Sequence, residues 1–370
     1  MQIFMPTRVF IEDDILINHQ DAFAKYKNIM VLSSSSVCQK TGILEQLEAI
    51  FKKHHINYLY NNSVKANPKI DASIEVGKLA HQFNCDCIVA VGGGSVMDES
   101  KIAAIVASNP QIDETGLYNL SWQNKPIDTI FIGTTAGTGS EVTKVAVMTN
   151  SKGQKQSIIH DDCYGKLVLS DPKYTAYMNY DLTLATAIDA LAHASESYFN
   201  KKADLVSQSY SIQCINKLFP YLNRMLNKSV QLSLEDRKEI YICSILGGLA
   251  INSTGTIFPH NFGYYLTERF NIPHGIACGY YLNELINFES KNNKTNVISF
   301  FERINIQQND FLNIIDQLLP QIDVKISQEE LDTILPRWTN NKNNAINNTQ
   351  GNMSVNDIKD ILQRKLINKH

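Results

Sequence analysis

Long apolar runs, an excess of either charge and the familiar nucleotide fingerprints are all missing from this chain of 370 residues. No stretch of eighteen apolar residues occurs, so no transmembrane helix is expected. Lys and Arg number 34 against 37 Asp and Glu, and charged residues make up only 19%. The formal net charge of −3 leaves no basic footprint for a nucleic acid. The opening MQIFMPTRVF has no basic segment followed by an apolar one, so it is not expected to be a signal peptide. Cys38, Cys85, Cys87, Cys163, Cys214, Cys243 and Cys278 show no zinc-ribbon spacing, and most lie in apolar stretches. They read as reduced, buried thiols of a cytoplasmic protein. Cys85 and Cys87 form a CxC that, in a strand, faces one way and packs. No internal repeat recurs at solenoid periods.

What is present is ample for a core: 44% of residues are hydrophobic, and the length suggests two domains. In the first half, short apolar runs alternate with helical patterns. Strands are expected at 28–36, 57–62, 87–95 and 128–135, with helices at 41–55, 68–84 and 98–108. The stretches 142–150 and 166–172 are also strand-like. Such alternation implies a parallel sheet covered by helices on both faces. From about Tyr177 the strand-like runs stop and helical periods dominate, at 182–199, 206–226 and 235–252. The predicted domains are therefore an α/β domain at 1–176 and an all-helical domain at 177–370. Residues 339–352 are Asn-rich and read as a solvated loop before a last helix at 355–367.

Four residues of the helical half form a candidate metal site. Asp189 and His193 stand four apart in IDALAHASE, which puts both on one helix face. His260 and His274 stand fourteen apart in FPHNFGYYLTERFNIPHG. One carboxylate and three imidazoles suit iron or zinc better than calcium or magnesium. Glu196, three residues after His193, is placed to orient a ligand. Two loops of the first half suit a ligand with phosphates. VAVGGGSVMDESK sets Gly92, Gly93, Gly94 and Ser95 between a buried strand and a helix start, where free N–H groups attract an anion. It is neither GxGxxG nor a Walker A loop. Asp98 is a candidate cap of that helix. IGTTAGTGSEVT interleaves Thr134, Thr135, Thr138 and Thr143 with small residues after an apolar strand, where open α/β sheets bind ligands.

GGGSVMDESK, GTTAGTGSEVT, IDALAHASE and IPHG, in that order, resemble the iron-containing alcohol dehydrogenase family, over most of the chain. The resemblance implies a Rossmann-like nucleotide-binding domain and a helical metal domain, the dehydroquinate synthase-like fold. It also implies a homodimer that moves hydride between a nicotinamide cofactor and a small alcohol or aldehyde. Asp189, His193, His260 and His274 match the ligands of Fe(II), sometimes Zn(II). Gly93, Gly94, Ser95 and Asp98 match a diphosphate loop, and the four threonines a cofactor loop. Asn67 in VKANP, Lys155 (across a one-residue gap) and Leu182 match residues lining the cofactor.

Two departures stand out. Tyr264 occupies a position where many relatives have a second His near the substrate, which makes it a candidate for the proton path. The first strand ends in Ser33, Ser34, Ser35 and Ser36 with Lys40 nearby, where NAD-using members carry an Asp. Hydroxyls and a lysine can hold a 2′-phosphate, which favours NADP(H) over NAD(H). A related chemistry on phosphate- or carboxylate-bearing substrates would need Lys and Arg near the metal, yet 177–200 and 250–280 hold only Arg269. Phe258, Phe262 and Tyr264 suggest an aromatic pocket for a neutral substrate. A non-catalytic nucleotide-binding protein is the alternative of another class.

Overall fold

A computed structural model describes residues 4–339 and 344–367. The chain forms two compact units. One comprises residues up to Asn179 together with Leu232–Gly248; the other comprises Tyr180–Gln231 and the residues from Leu249 onward. Neither unit is continuous in sequence, whereas the expected division at 176/177 gave two continuous domains. Among the described residues no single helix is long and apolar enough to cross a membrane.

The first unit carries a six-stranded parallel sheet. Its strands are β1 (Arg8–Ile11), β2 (Asn28–Ser34), β3 (Asn57–Val64), β4 (Cys87–Gly92), β5 (Asp128–Gly133) and β8 (Leu167–Ser170), in the order β1-β8-β5-β4-β2-β3. Alternation along β2 and β4 sends Ile29, Val31, Val89 and Val91 to one core cluster, with Leu47 and Phe51 of the helix Ile43–His54. Met30, Leu32, Ile88 and Ala90 go to the other, with Val76, Ala80, Ala103 and Ala104. Period-two strands buried on both faces read as continuous apolar runs, which is why they were visible in the sequence. Cys85 and Cys87 are buried in this packing, and all seven cysteines are free.

The strand order reverses between β2 and β4, which pair directly, with Ser33 opposite Val91. The serine run and the GGG turn thus leave the sheet side by side, at the switch point where such sheets bind ligands. Strands β6 (Val145–Thr149) and β7 (Lys155–Ile159) form a separate antiparallel hairpin.

The helix Gly94–Ser108 begins four residues earlier than its sequence pattern suggests. Asp98 is therefore inside it and does not cap it. Its Oδ1 accepts from Ser140 Oγ at 2.6 Å and its Oδ2 from Val147 N at 3.0 Å. Lys101 is buried beside it, donating to Ser140 O, Ser140 Oγ and Val145 O at 2.7–2.9 Å. This knot ties the glycine turn's helix to the threonine loop and the hairpin.

The second unit is helical. Its helix Tyr180–Tyr198 is rich in Ala, a strong helix former with a small side chain, and is buried on nearly every side from Thr183 onward. The Asn-rich segment is only partly the solvated loop expected: residues 340–343 lie outside the described residues, whereas Thr349 is buried and bridges to Asn200.

Lys101→Met leaves Asp98 facing the knot without its cation. Loss of one partner of a buried pair costs about 3 kcal/mol or more. Urea unfolding of the variant should show a midpoint lowered accordingly, with the slope unchanged; an unshifted midpoint would contradict the knot's structural role.

Candidate metal centre and nucleotide loops

Three helices of the helical unit meet at backbone distance because glycine stands at each crossing. A Cβ on Gly275 would lie 1.9 Å from Ala185 O, one on Gly263 would lie 3.0 Å from Ala277 C, and one on Gly279 2.4 Å from Ile188 Cγ2. The helices are Tyr180–Tyr198, Phe258–Phe270 and the short His274–Gly279. Pro259 starts the second of these and Asn271, at φ 55°, ends it.

Close approach drives their polar side chains into one small space. Asp189 Oδ1 lies 3.5 Å from His260 Nε2, 3.8 Å from His193 Nε2 and 3.9 Å from His274 Nε2. Donors held 2.0–2.2 Å from a tetrahedral metal stand roughly 3.3–3.6 Å from each other. Asp189 Oδ1 and His260 Nε2 are buried and have no hydrogen-bond partner. Buried polar atoms are ordinarily satisfied, so orphans at ligand spacing fit a cation. Burial alone would raise Asp189, but His193, His274 and His260 outweigh it and hold the carboxyl well below its usual range.

Four donors, from Asp189, His260, His274 and Cys278, lie within 4.8 Å of one another. His193 stands against them, its ring stacked on His260 at 4.7 Å. Cys278 was read only as a packed thiol. It follows His274 by four residues on one helix, the same spacing that revealed Asp189 and His193. Burial pushes its thiol up to about 11.

Glu196 is completely buried and orients the site. Its Oε1 accepts from His260 Nδ1, and its Oε2 accepts from Ile257 N at 2.7 Å. One carboxylate thus caps the entry to the Phe258 helix and turns His260 Nε2 toward Asp189. Burial raises the Glu196 carboxyl, and His260 offsets only part of that.

Tyr264 stands beside His274. Its ring stacks on His274 at 5.5 Å with planes 12° apart, and burial pushes its hydroxyl up to about 12. Phe258 and Phe262 do not line a pocket. Both are fully buried, packed on Phe288, Tyr281 and Trp338. Residues 258 and 262 share one helix face and 260 and 264 another, and the first pair fills the core. Leu182, near the start of its helix, is 37% exposed.

In the sheet unit the two loops interlock. Gly93 has no room for a Cβ, which would fall 2.4 Å from Thr135 Oγ1; at Gly94 it would fall 2.8 Å from Thr138 Cγ2. No side chain caps the helix that follows. Thr134 is buried with its N–H on Gly92 O, and Thr143 Oγ1 donates to Ser140 O at 3.3 Å. Gly139 takes φ 58° against Gly248, whose Cα a Cβ would meet at 2.6 Å. Asn67, at φ 56°, and Pro68 accept from Thr149, which faces Lys155 across the hairpin. Asn67 and Lys155 thus flank Thr149 from opposite edges of its strand. Ser34 is half-buried and Ser35 exposed, whereas Ser33 is buried, its hydroxyl 3.2 Å from that of Tyr60. The histidines His19, His54, His81 and His160 contact Glu12, Asp21, Ala107 O and Trp122, all within the sheet unit; His370 lies outside the described residues.

The family model for iron-containing alcohol dehydrogenases matches residues 6–172, and that for the C-terminal part of the Fe-containing family matches 183–366. The chain belongs to the iron-containing alcohol dehydrogenase family. A solved iron-containing alcohol dehydrogenase from Thermotoga maritima is 28% identical, with a TM-score of 0.89 over 99% of each chain. Alcohol dehydrogenase 4 of Schizosaccharomyces pombe is 28% identical over 73% of this chain and 64% of its own length. The 1,3-propanediol dehydrogenase of Citrobacter freundii is 31% identical over 68% of this chain and 65% of its own. The matched stretch thus spans just under two thirds of these curated relatives. The parallel-sheet and helical units are the two-domain fold of this family.

Glu196→Ala should weaken metal affinity about 10- to 100-fold, because the imidazole loses its orienting acceptor. Competition against a chromogenic chelator measures this, and Glu196→Gln should retain part of the affinity. Equal affinity in all three proteins would remove Glu196 from the site.

Proposed function

We propose that this protein is a metal-dependent oxidoreductase that interconverts a small neutral alcohol and its aldehyde with NADP(H). The observation that carries the reading is the buried Asp189 oxygen at ligand distance from three imidazole nitrogens. Fe(II), or Zn(II), bound there supplies Lewis acidity toward a substrate oxygen, and the nicotinamide supplies or takes the hydride.

Asp189, His193, His260 and His274 are the proposed ligands, and Glu196 keeps His260 in the tautomer with Nε2 free. Tyr264 keeps its proton at neutral pH and is the proposed proton donor over His274. Gly93, Gly94 and Ser95 offer the diphosphate an uncapped helix start. Asp98 serves the cofactor indirectly, by fixing that helix to the loop of Thr134, Thr135, Thr138 and Thr143. Asn67, Lys155 and Leu182 are the further residues proposed, on family resemblance, to contact the cofactor. Arg269, the one basic residue in the segments that carry the ligands, is 3.0 Å from Glu330 at the surface, which supports an uncharged substrate. Ser34, Ser35 and exposed Lys40 at the end of β2 support NADP(H). Seven free cysteines support a cytoplasmic setting. A homodimer belongs to the same proposal on family resemblance alone.

Anaerobically purified protein should reduce short aldehydes, lose activity on chelation and regain it with Fe(II) or Zn(II). Asp189→Asn should lower kcat/KM by about a thousandfold, the loss of several kcal/mol of charge stabilisation. Undiminished turnover after complete chelation would refute the metal reading. Lys40→Ala should raise KM for NADPH about tenfold, as expected for one hydrogen bond to a charged group, and leave NADH nearly unchanged. Parallel assays with both cofactors decide this, and a wild-type preference for NADH overturns the NADP(H) assignment.

A further inference from the structure

We propose that Glu99 is a further cofactor-binding residue of the sheet unit: its carboxyl, in the acid form, donates a hydrogen bond to the diphosphate at the Gly93–Ser95 turn. The inference rests on the nucleotide reading above and adds a donor that neither the glycine turn nor the threonine loop supplies.

Glu99 is 2% exposed and has no hydrogen-bond or ion-pair partner among the described residues. It stands in the helix Gly94–Ser108, which begins without a capping side chain. The N–H groups of Gly94 and Ser95 have no partner among the described residues either. Ala103 and Val106, four and seven residues after Glu99, share its face of the helix. Both pack on Gly77 of the helix Ile70–Gln82, where a Cβ would meet Val106 Cβ at 2.5 Å and Ala103 O at 2.8 Å. The two helices follow parallel strands, so one turn back Glu99 faces the first turn of its neighbour, just after Asn67 and Pro68. Helical side chains lean toward the N-terminus of their own helix, which carries the Glu99 carboxyl back over Ser95. A buried acid without a partner is thus aimed at the open helix start to which the diphosphate is assigned. Buried polar groups are ordinarily paired, so this one fits a partner from outside the chain.

Charge decides what that partner is. The charged groups of the elements packed on this helix are held elsewhere. Lys69, Asp71, Glu75 and Lys78 of the facing helix are exposed. Asp98 and Lys101 meet Ser140, Glu141 meets Tyr241, and Asp128 meets Lys25 and Tyr26. Asp161 and Asp162 meet Lys144 and Trp122, and β2, β3, β4 and β6 carry no charged residue. Burial is accordingly the one cause that raises the Glu99 carboxyl, to about 7. Below that pH the group is a neutral acid with one O–H to donate, and a bond from O–H to a phosphate oxygen is short and strong. Above it the carboxylate has no proton to donate and repels the diphosphate, whose own charge does not change over this range.

The test titrates the full-length, metal-loaded protein with NADPH and with NADH from pH 6 to pH 8, following nucleotide fluorescence. For wild type, Kd should rise about tenfold over that span, as a carboxyl of pKa about 7 passes from acid to carboxylate. The rise should appear with both nucleotides, because both carry the diphosphate; the 2′-phosphate of NADPH titrates near pH 6 and cannot account for a rise with NADH. Glu99→Gln, which keeps an N–H donor and no charge, should bind tightly with that rise abolished. Glu99→Ala should lack the rise too, but bind about tenfold more weakly at pH 6, the loss of one hydrogen bond to a charged group. A flat wild-type Kd for NADH, or a rise that survives in Glu99→Gln, overturns the proposal and leaves the cofactor reading standing. Equal affinity of Glu99→Ala and Glu99→Gln overturns the donor role. No binding of either nucleotide at any pH overturns both readings. The wild-type and Glu99→Gln curves decide the matter even if Glu99→Ala fails to fold.

Discussion

A single carboxylate oxygen, Asp189 Oδ1, governs the helical unit. It is buried, lacks a hydrogen-bond partner and faces three imidazole nitrogens within 4 Å. Left alone, such a group would take up a proton; the imidazoles keep it ionised. The arrangement persists because it is over-determined. Two glycines, Gly263 and Gly275, bring helices to backbone contact, Ala-rich packing fixes the Tyr180 helix, and Glu196 locks His260 from behind. The unit is built around an unmet need for positive charge.

The sheet unit contains the opposite solution. Lys101 is buried and Asp98 partly so, but they meet each other and Ser140, and these contacts close within the protein. A closed knot is structural: it fixes where the glycine turn stands against the threonine loop. An open constellation is suited to a partner from outside the protein. The uncapped helix start at Gly94 is open in the same sense, toward an anion rather than a cation.

Much of this was legible. Continuous apolar runs announced a parallel sheet, and Asp189–His193 at helical spacing announced a candidate metal site. Glu196 was readable as an orienting residue for the same reason. Other residues misled because sequence spacing does not say which face is buried. Phe258/Phe262 and His260/Tyr264 are equivalent pairs on paper, yet only packing sends the phenylalanines to the core. Asp98 was taken for a cap because no apolar period marks the true helix start at Gly94. Lys101 drew no notice, since a lysine in a helix is ordinarily solvated. Cys278 hid among six other apolar cysteines although its spacing from His274 was in plain view.

By itself the sequence determined the element types, the two glycine and threonine loops and the family, because these depend on local periodicity and on ordered short motifs. The tertiary structure decided which elements of each unit meet. It alone placed Ser140 on Asp98, Cys278 among the donors and Glu196 behind His260, since those partners lie from four to more than sixty residues apart. Apart from the one-turn spacing of His274 and Cys278, distance along the chain carries no information on such contacts. They follow from how closely helices can approach, and here glycine sets that distance.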